Sequence, residues 1–171
     1  MKHFLSTLAI AAALTAPAVA QRASPHETVS ATVGGAKITI EYGRPYAKGR
    51  KIMGGLVPFG QVWRTGADEA TTLTSDADLQ IGSLKVPKGM YALFTLPGQA
   101  SWQLIVNTVA KQWGAFKYDA STDLGRTDMK VSAAAKPIEQ FTIAIEPSGS
   151  KGVLRMSWEN TVATVEISTA K

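Results

Sequence analysis

The chain has 171 residues, of which 45% are hydrophobic and 18% charged, with no cysteine and a formal net charge of +5. This length is typical of one domain, and it is sufficient to bury a core without a disulfide or a structural metal. Because cysteine is absent, the composition excludes disulfide scaffolds, thiolate metal sites and cysteine nucleophiles.

The first twenty residues have the pattern of a signal peptide. Lys2 and His3 form a basic start, residues 4–14 are apolar, and residues 18–20 are the small Ala-Val-Ala. The apolar run is too short to cross about 30 Å of hydrocarbon, so we predict cleavage after Ala20 and no membrane span. The predicted organisation is a signal peptide over residues 1–20 and a single domain over residues 21–171, located in the periplasm or secreted.

Most of the remaining chain alternates apolar and polar residues, which is typical of strands with one buried face. Gly34-Gly35 separates two such runs and predicts a tight hairpin. Pro97-Gly98 predicts a turn between strands at 90–96 and 102–106, and Asn160 predicts a hairpin between strands at 154–158 and 161–168. No dozen residues keep a helical period. The pattern contains about nine or ten strands and predicts an all-β fold. The predicted architecture is an antiparallel β-sandwich, and closure into a barrel-like form is an open alternative.

The alternation stops between Gly43 and Trp63, which predicts one long irregular loop. From residue 43 to residue 67 there are five basic residues and no acidic one. The planar fork of arginine suits carboxylate, phosphate or sulfate, and aromatic rings can stack beside it. We therefore predict that this loop, from Arg44 to Thr71, binds a small anionic or carbohydrate ligand. The candidate ligand-binding residues are Arg44, Tyr46, Arg50, Trp63, Arg64, Asp68 and Glu69.

A purely structural interpretation of the same residues stays open. Arg44 and Arg64 can pair with Asp68 and Glu69 and hold the loop against the sandwich. Trp63 can close one end of the core. Convergence of Arg44, Arg50 and Arg64 on one pocket separates the binding hypothesis from this alternative.

These residues also carry a family resemblance. Arg44-Pro45, the run Gly54-Gly55-Leu56-Val57-Pro58-Phe59-Gly60, the run Trp63-Arg64-Thr65-Gly66-Ala67-Asp68-Glu69-Ala70-Thr71 and Pro87-Lys88-Gly89-Met90-Tyr91 resemble the bacterial domain of unknown function 2911. The resemblance extends from about residue 24 to residue 168 and implies a secreted bacterial protein. Because the family has no established activity, the resemblance assigns no catalytic role to any residue of this chain. The family pattern has asparagine where this chain has Asp68, and an ionised aspartate cannot donate a hydrogen bond.

Other chemistries find little support in the sequence. His26 is the only histidine after residue 20 and lies in the N-terminal tail, so no histidine-based zinc site is predicted. The acidic residues at 119–130 lack the glycine and glutamate of a calcium-binding loop, and the sequence predicts no metal and no cofactor. No nucleic-acid-binding motif accompanies the basic charge.

Three functions remain open. The first is a non-catalytic module that binds a small anionic or sugar-like ligand at the loop. The second is a periplasmic hydrolase in which Glu69 or Asp68 is the general base and arginines stabilise negative charge. The third is a structural or interaction protein of the cell envelope. Whether the protein is an enzyme, and its oligomeric state, stay open.

Overall fold

The computed structural model describes residues 24–170, so the predicted signal peptide lies outside the described residues. The described chain is all-β, and its strands are antiparallel, as the alternation predicts. The strands are β1 His26–Val33, β2 Ala36–Gly43, β3 Ala67–Ser75, β4 Leu79–Ile81, β5 Leu84–Val86, β6 Gly89–Pro97, β7 Ser101–Asn107, β8 Asp123–Ser148 and β9 Lys151–Thr169. A single 3₁₀ turn, Ala120–Thr122, precedes β8 within the described chain. None of the described residues forms a helix long and apolar enough to span a bilayer.

All of these strands belong to one sheet with the order β1-β2-β3-β6-β7-β8-β9-β4-β5. The sheet does not close into a barrel, but it curves until β1 lies against β8 and β9. Its concave face packs on itself: the hydroxyl of Tyr42 in β2 accepts a hydrogen bond from the backbone N–H of Ile143 in β8, at 3.0 Å. The buried residues form a main core cluster and a second, smaller cluster of Ala70, Ala92, Phe94 and Ile105, so the predicted β-sandwich is one curved sheet with apolar residues packed on it.

The predicted hairpins have different outcomes. Val33 pairs with Ala36 across Gly34-Gly35, and Pro97 pairs with Trp102, so both of these hairpins are confirmed. The hairpin at Asn160 is wrong, because β9 continues through this residue to Thr169. The true connection between β8 and β9 is at Gly149, where Ser148 pairs with Lys151.

The chain between β2 and β3, residues 44–66, is the predicted long loop, and it contains only isolated bridges and turns. We call it the irregular segment. Tyr46 bridges to Gln140 of β8 and Trp63 bridges to Thr95 of β6, so the segment is fastened near both of its ends. In its middle, the backbone N–H groups of Ile52 and Met53 lie 3.2 and 3.4 Å from the Glu159 carboxylate. The segment is therefore irregular without being loose.

Candidate functional site

A cavity of about 440 Å³ opens between the irregular segment and β9. We call it the arginine cavity, because both Arg50 and Arg64 lie in its wall. Its lining residues are Ser24, Pro45, Tyr46, Lys48, Arg50, Leu56, Val57, Trp63, Arg64, Gly66, Ala67, Asp68 and Trp158.

The floor of the arginine cavity is part of the protein core. Trp63 is only 8% exposed, and its ring stacks on Trp158 with centroids 5.9 Å apart. Phe141 and Trp102 contact the same indole edge-on, at 5.0 and 6.3 Å. Trp63 thus closes one end of the core and also lines the cavity, so the structural and binding interpretations of this residue are compatible.

The backbone after Trp63 is held in an unusual conformation. Thr65 is fully buried with a φ of +58°, and its carbonyl accepts a hydrogen bond from the Thr71 hydroxyl at 2.6 Å. A Cβ on Gly66 would come within 2.7 Å of the Gly43 carbonyl oxygen, so only glycine fits there without movement. These constraints explain the Trp-Arg-Thr-Gly run. Trp63 anchors the segment, and the backbone of Thr65 and Gly66 sets the position of Arg64.

Arg64 has a buried donor that the described residues leave unsatisfied. Its Nε is shielded from solvent and has no hydrogen-bond partner in the part of the chain that the structure describes. Burial lowers the pKa of Arg64 from its ordinary value, and the negative charge of Asp68 opposes that shift. Because an unpaired buried donor costs about 1–3 kcal/mol, this is an unfavourable state for the protein alone.

The other cations of the cavity are more exposed. Arg50 is held by the irregular segment itself, since its Nε donates to the Ala47 carbonyl at 3.0 Å and its Nη2 to the Tyr46 carbonyl at 2.6 Å. Lys48 has a positive φ of 49°, and its backbone N–H donates to Glu139. The turn around these residues presents two positive charges at the outer wall of the cavity.

Arg44 does not line the arginine cavity. Its Nη1 donates to Glu27 at 2.7 Å, its Nε to the Phe141 carbonyl at 3.0 Å, and its Nη2 to the Thr142 hydroxyl at 2.9 Å. These contacts join β1 to β8 across the curved sheet. Arg50 and Arg64 therefore line one cavity, while Arg44 pairs with Glu27 and has a structural position, so the three arginines do not converge on one pocket.

Asp68 and Glu69 lie at an irregularity in β3. Glu41 pairs with Thr72, but Gly43 pairs with Ala67, so the residues between Ala67 and Thr72 leave the β2 ladder. Asp68 has a φ of +65°, and its carbonyl accepts from the Gly114 N–H at 3.0 Å. The sequence predicts opposite directions for adjacent side chains on a strand; this bulge instead brings both carboxylates to one imidazole.

That imidazole belongs to His26, the first residue of β1. Its Nε2 is 3.1 Å from Asp68 Oδ2 and 3.5 Å from Glu69 Oε2. His26 and Glu69 also line a second cavity of about 420 Å³, the histidine cavity. The lining residues of this cavity are His26, Glu41, Tyr42, Gly43, Glu69, Ala70, Thr72, Ala110, Lys111, Gln112 and Trp113.

The structure thus divides the predicted residues into three groups. Tyr46, Arg50, Trp63, Arg64 and Asp68 share the arginine cavity, Glu69 lies in the histidine cavity, and Arg44 lies in neither lining. Sequence reasoning missed His26, which lies at the start of a strand and not in a solvated tail. Its partners are more than forty positions away, so only the pairing of β1 with β2 and of β2 with β3 could reveal them.

A family model described as "Protein of unknown function (DUF2911)" matches residues 24–167. No curated protein and no solved structure matches the chain.

Proposed function

The chain belongs to the DUF2911 family, and we propose that it is a non-catalytic module that binds a small anionic ligand in the arginine cavity. The ligand class is an organic carboxylate, phosphate or sulfate with a compact body, including an acidic sugar. The observation that carries this proposal is the buried, unpaired Nε of Arg64.

An anionic ligand supplies the acceptor that Arg64 lacks. A guanidinium donates two parallel hydrogen bonds to a carboxylate, phosphate or sulfate, and such charge-assisted bonds are stronger than neutral ones. Because this arginine is already partly removed from water, it has less solvation to lose when the ligand enters. Its neighbours Lys48 and Arg50 add positive charge at the outer wall, against the single carboxylate of Asp68 in the lining.

The cavity also has a surface for the body of the ligand. The rings of Trp63 and Trp158 form the floor, and Tyr46 lies in the wall. Pockets for small molecules are lined mostly by apolar and aromatic side chains, while a few precisely placed polar groups orient the ligand. The combination favours a ligand with one anionic end and one less polar face.

Ligand titrations by thermal shift test this proposal, on protein that a chelating resin has freed of metal. Inorganic phosphate, sulfate, glucuronate and glucose are the probes, and glucose is the neutral match for glucuronate. A ligand that binds only the folded state raises the melting temperature in a saturable way. We expect this shift with at least one anion and not with glucose.

Two variants locate the site. Arg64→Met is expected to abolish the shift, while Arg155→Met retains it, because Arg155 pairs with Glu146 and does not line the cavity. An absence of any saturable shift, or an equal shift in Arg64→Met, contradicts the proposal.

A hydrolase is the second candidate, favoured by the contact between His26 and Asp68. A histidine and a carboxylate at 3.1 Å form the kind of pair that moves protons in general acid–base catalysis. Turnover of ester, glycoside or phosphoester substrates that is lost in His26→Ala would support this candidate over the binding module.

We also propose that the protein is exported to the periplasm or secreted. The support is the basic start, apolar run and Ala-Val-Ala of residues 1–20. N-terminal sequencing of the protein from the extracytoplasmic fraction is expected to begin at Gln21. Retention of the full chain in the cytoplasm would contradict this proposal.

A further inference from the structure

The contact between His26, Asp68 and Glu69 brings two carboxylates to one imidazole nitrogen. Both carboxylate distances, 3.1 and 3.5 Å, are measured to the same ring nitrogen, Nε2. A protonated Nε2 has one N–H, and an N–H shared between two acceptors is aligned less well with each of them than with a single acceptor. A metal ion has no such restriction, because it accepts several ligands around it at once.

We propose that Nε2 of His26 and the carboxylates of Asp68 and Glu69 bind one divalent first-row transition metal ion, with Zn²⁺ as the model ion. The proposal goes beyond the anion site and does not depend on it. One donor atom from each residue lies within 4.8 Å of the others. Ligands about 2.1 Å from a common metal lie roughly 3.0–3.5 Å apart at octahedral or tetrahedral angles, so the two distances to Nε2 already fit.

The donor set defines the class of metal. One imidazole nitrogen and two carboxylate oxygens suit Zn²⁺, Mn²⁺ or Fe²⁺ better than Ca²⁺, which prefers six to eight oxygen ligands. Two carboxylates close together repel each other, and a doubly charged ion offsets that repulsion more than a singly charged imidazolium does. The side chains are 26–42% exposed, so an ion can reach them.

The fold assembles this donor set from distant parts of the chain. His26 begins the edge strand β1, and the bulge in β3 supplies consecutive carboxylates. Asp68 lines the arginine cavity, while His26 and Glu69 line the histidine cavity. The three ligands therefore include residues of both linings, and three protein ligands leave coordination positions for water or for another donor atom.

Zn²⁺ binding to the untagged full chain tests the site, by competition with a chromophoric chelator in buffer without phosphate or sulfate. The chain has two histidines, so His3→Ala is the matched control for His26→Ala. We expect wild type and His3→Ala to bind one equivalent of Zn²⁺, and His26→Ala to bind at least about a hundredfold more weakly, because it loses a direct ligand.

A second variant and a spectrum guard against loss of folding. Glu69→Gln keeps the shape of the side chain and removes its charge, and circular dichroism confirms that each variant is folded. Co²⁺ bound to the wild type is expected to give visible absorption bands that change in Glu69→Gln. Wild-type Zn²⁺ affinity in His26→Ala or in Glu69→Gln, or no stoichiometric binding to wild type, overturns the proposal. Because anion binding is measured on metal-free protein, either site can fail without the other.

Discussion

The indole rings of Trp63 and Trp158 stack with centroids 5.9 Å apart and planes inclined by 18°. Trp63 belongs to the irregular segment and Trp158 to β9, so this contact joins the least regular part of the described chain to one of its longest strands. Since both rings also line the arginine cavity, the packing of the core and the shape of the cavity depend on the same two side chains.

Replacement of Trp63 by alanine is expected to destabilise the protein strongly. The indole is buried against three other aromatic rings, and large-to-small changes of this kind cost about 3–5 kcal/mol. Urea denaturation of wild type and variant measures the difference. Trp113→Ala is the matched control, because Trp113 is 58% exposed and its loss should change the free energy of unfolding by about 0.5 kcal/mol or less. Equal effects of both substitutions would contradict the anchoring role of Trp63.

Arg64→Met is expected to leave the ligand-free protein as stable as wild type or to stabilise it by about 1 kcal/mol. Methionine occupies a similar path and removes a buried donor without a partner, together with a charge held in a partly desolvated place. The free energy of unfolding in buffer without anions is the measurement. A loss of several kcal/mol would show that the guanidinium is a structural support.

Arg44→Met is expected to lower the free energy of unfolding, in contrast to Arg64→Met. Three groups of the Arg44 guanidinium donate to Glu27, to the Phe141 carbonyl and to Thr142, and hydrogen bonds of charged groups contribute about 1.5–3 kcal/mol. We expect a loss of about 1–3 kcal/mol, with anion binding in the arginine cavity retained. If Arg44→Met abolishes anion binding without loss of stability, the assignment of Arg44 to a structural position is wrong.

Gly43→Ala is expected to distort the bulge that carries Asp68. A Cβ at position 43 would fall onto the Ala67 carbonyl, a backbone atom that cannot move without the strand. The cost should exceed about 1 kcal/mol. In the control Gly35→Ala, the new Cβ meets no atom within 4 Å, and only the positive φ of 90° is strained. In thermal denaturation, the melting temperature of Gly43→Ala should therefore be lower than that of Gly35→Ala.

The raised pKa of Tyr118 predicts a loss of stability at alkaline pH. Burial, followed by the hydrogen bond that its hydroxyl donates to Asp123, raises the pKa of Tyr118 from 10.0 to about 12. The unfolded chain loses this proton near pH 10 and the folded chain only near pH 12, so the contribution is complete below pH 10 and disappears as the pH rises through 12. Urea midpoints between these pH values should fall more steeply for wild type than for Tyr118→Phe. Parallel slopes would contradict the shifted pKa of this residue.

The strands were readable from sequence where alternation and turn residues agree. Gly34-Gly35 and Pro97-Gly98 lie between alternating runs, and both mark hairpins in the structure. Asn160 follows Glu159, and this polar pair also looks like a turn. Glu159 instead takes a φ of +52° opposite an irregularity in β8, and the strand continues. A local pattern cannot distinguish a bulge from a turn, because the difference depends on the partner strand.

The place of the candidate site was predictable, but its full composition was not. Loss of alternation after Gly43 located the irregular segment, and Arg64 and Trp63 both line the cavity there. The position of Arg44 depends on Thr142, nearly one hundred residues further along the chain. The contact of His26 depends on the positive φ of Asp68, for which the sequence offers no glycine as a signal.

The exposed position of Trp113 gives the protein an internal optical reporter. Trp63, Trp102 and Trp158 are at most 8% exposed, whereas Trp113 is open to water and its backbone bridges to Glu69. Iodide and other polar quenchers should therefore reduce mainly the emission of Trp113, which lies at the long-wavelength edge of the tryptophan spectrum. Occupancy of the histidine cavity can be followed by that fluorescence, without an added dye or label.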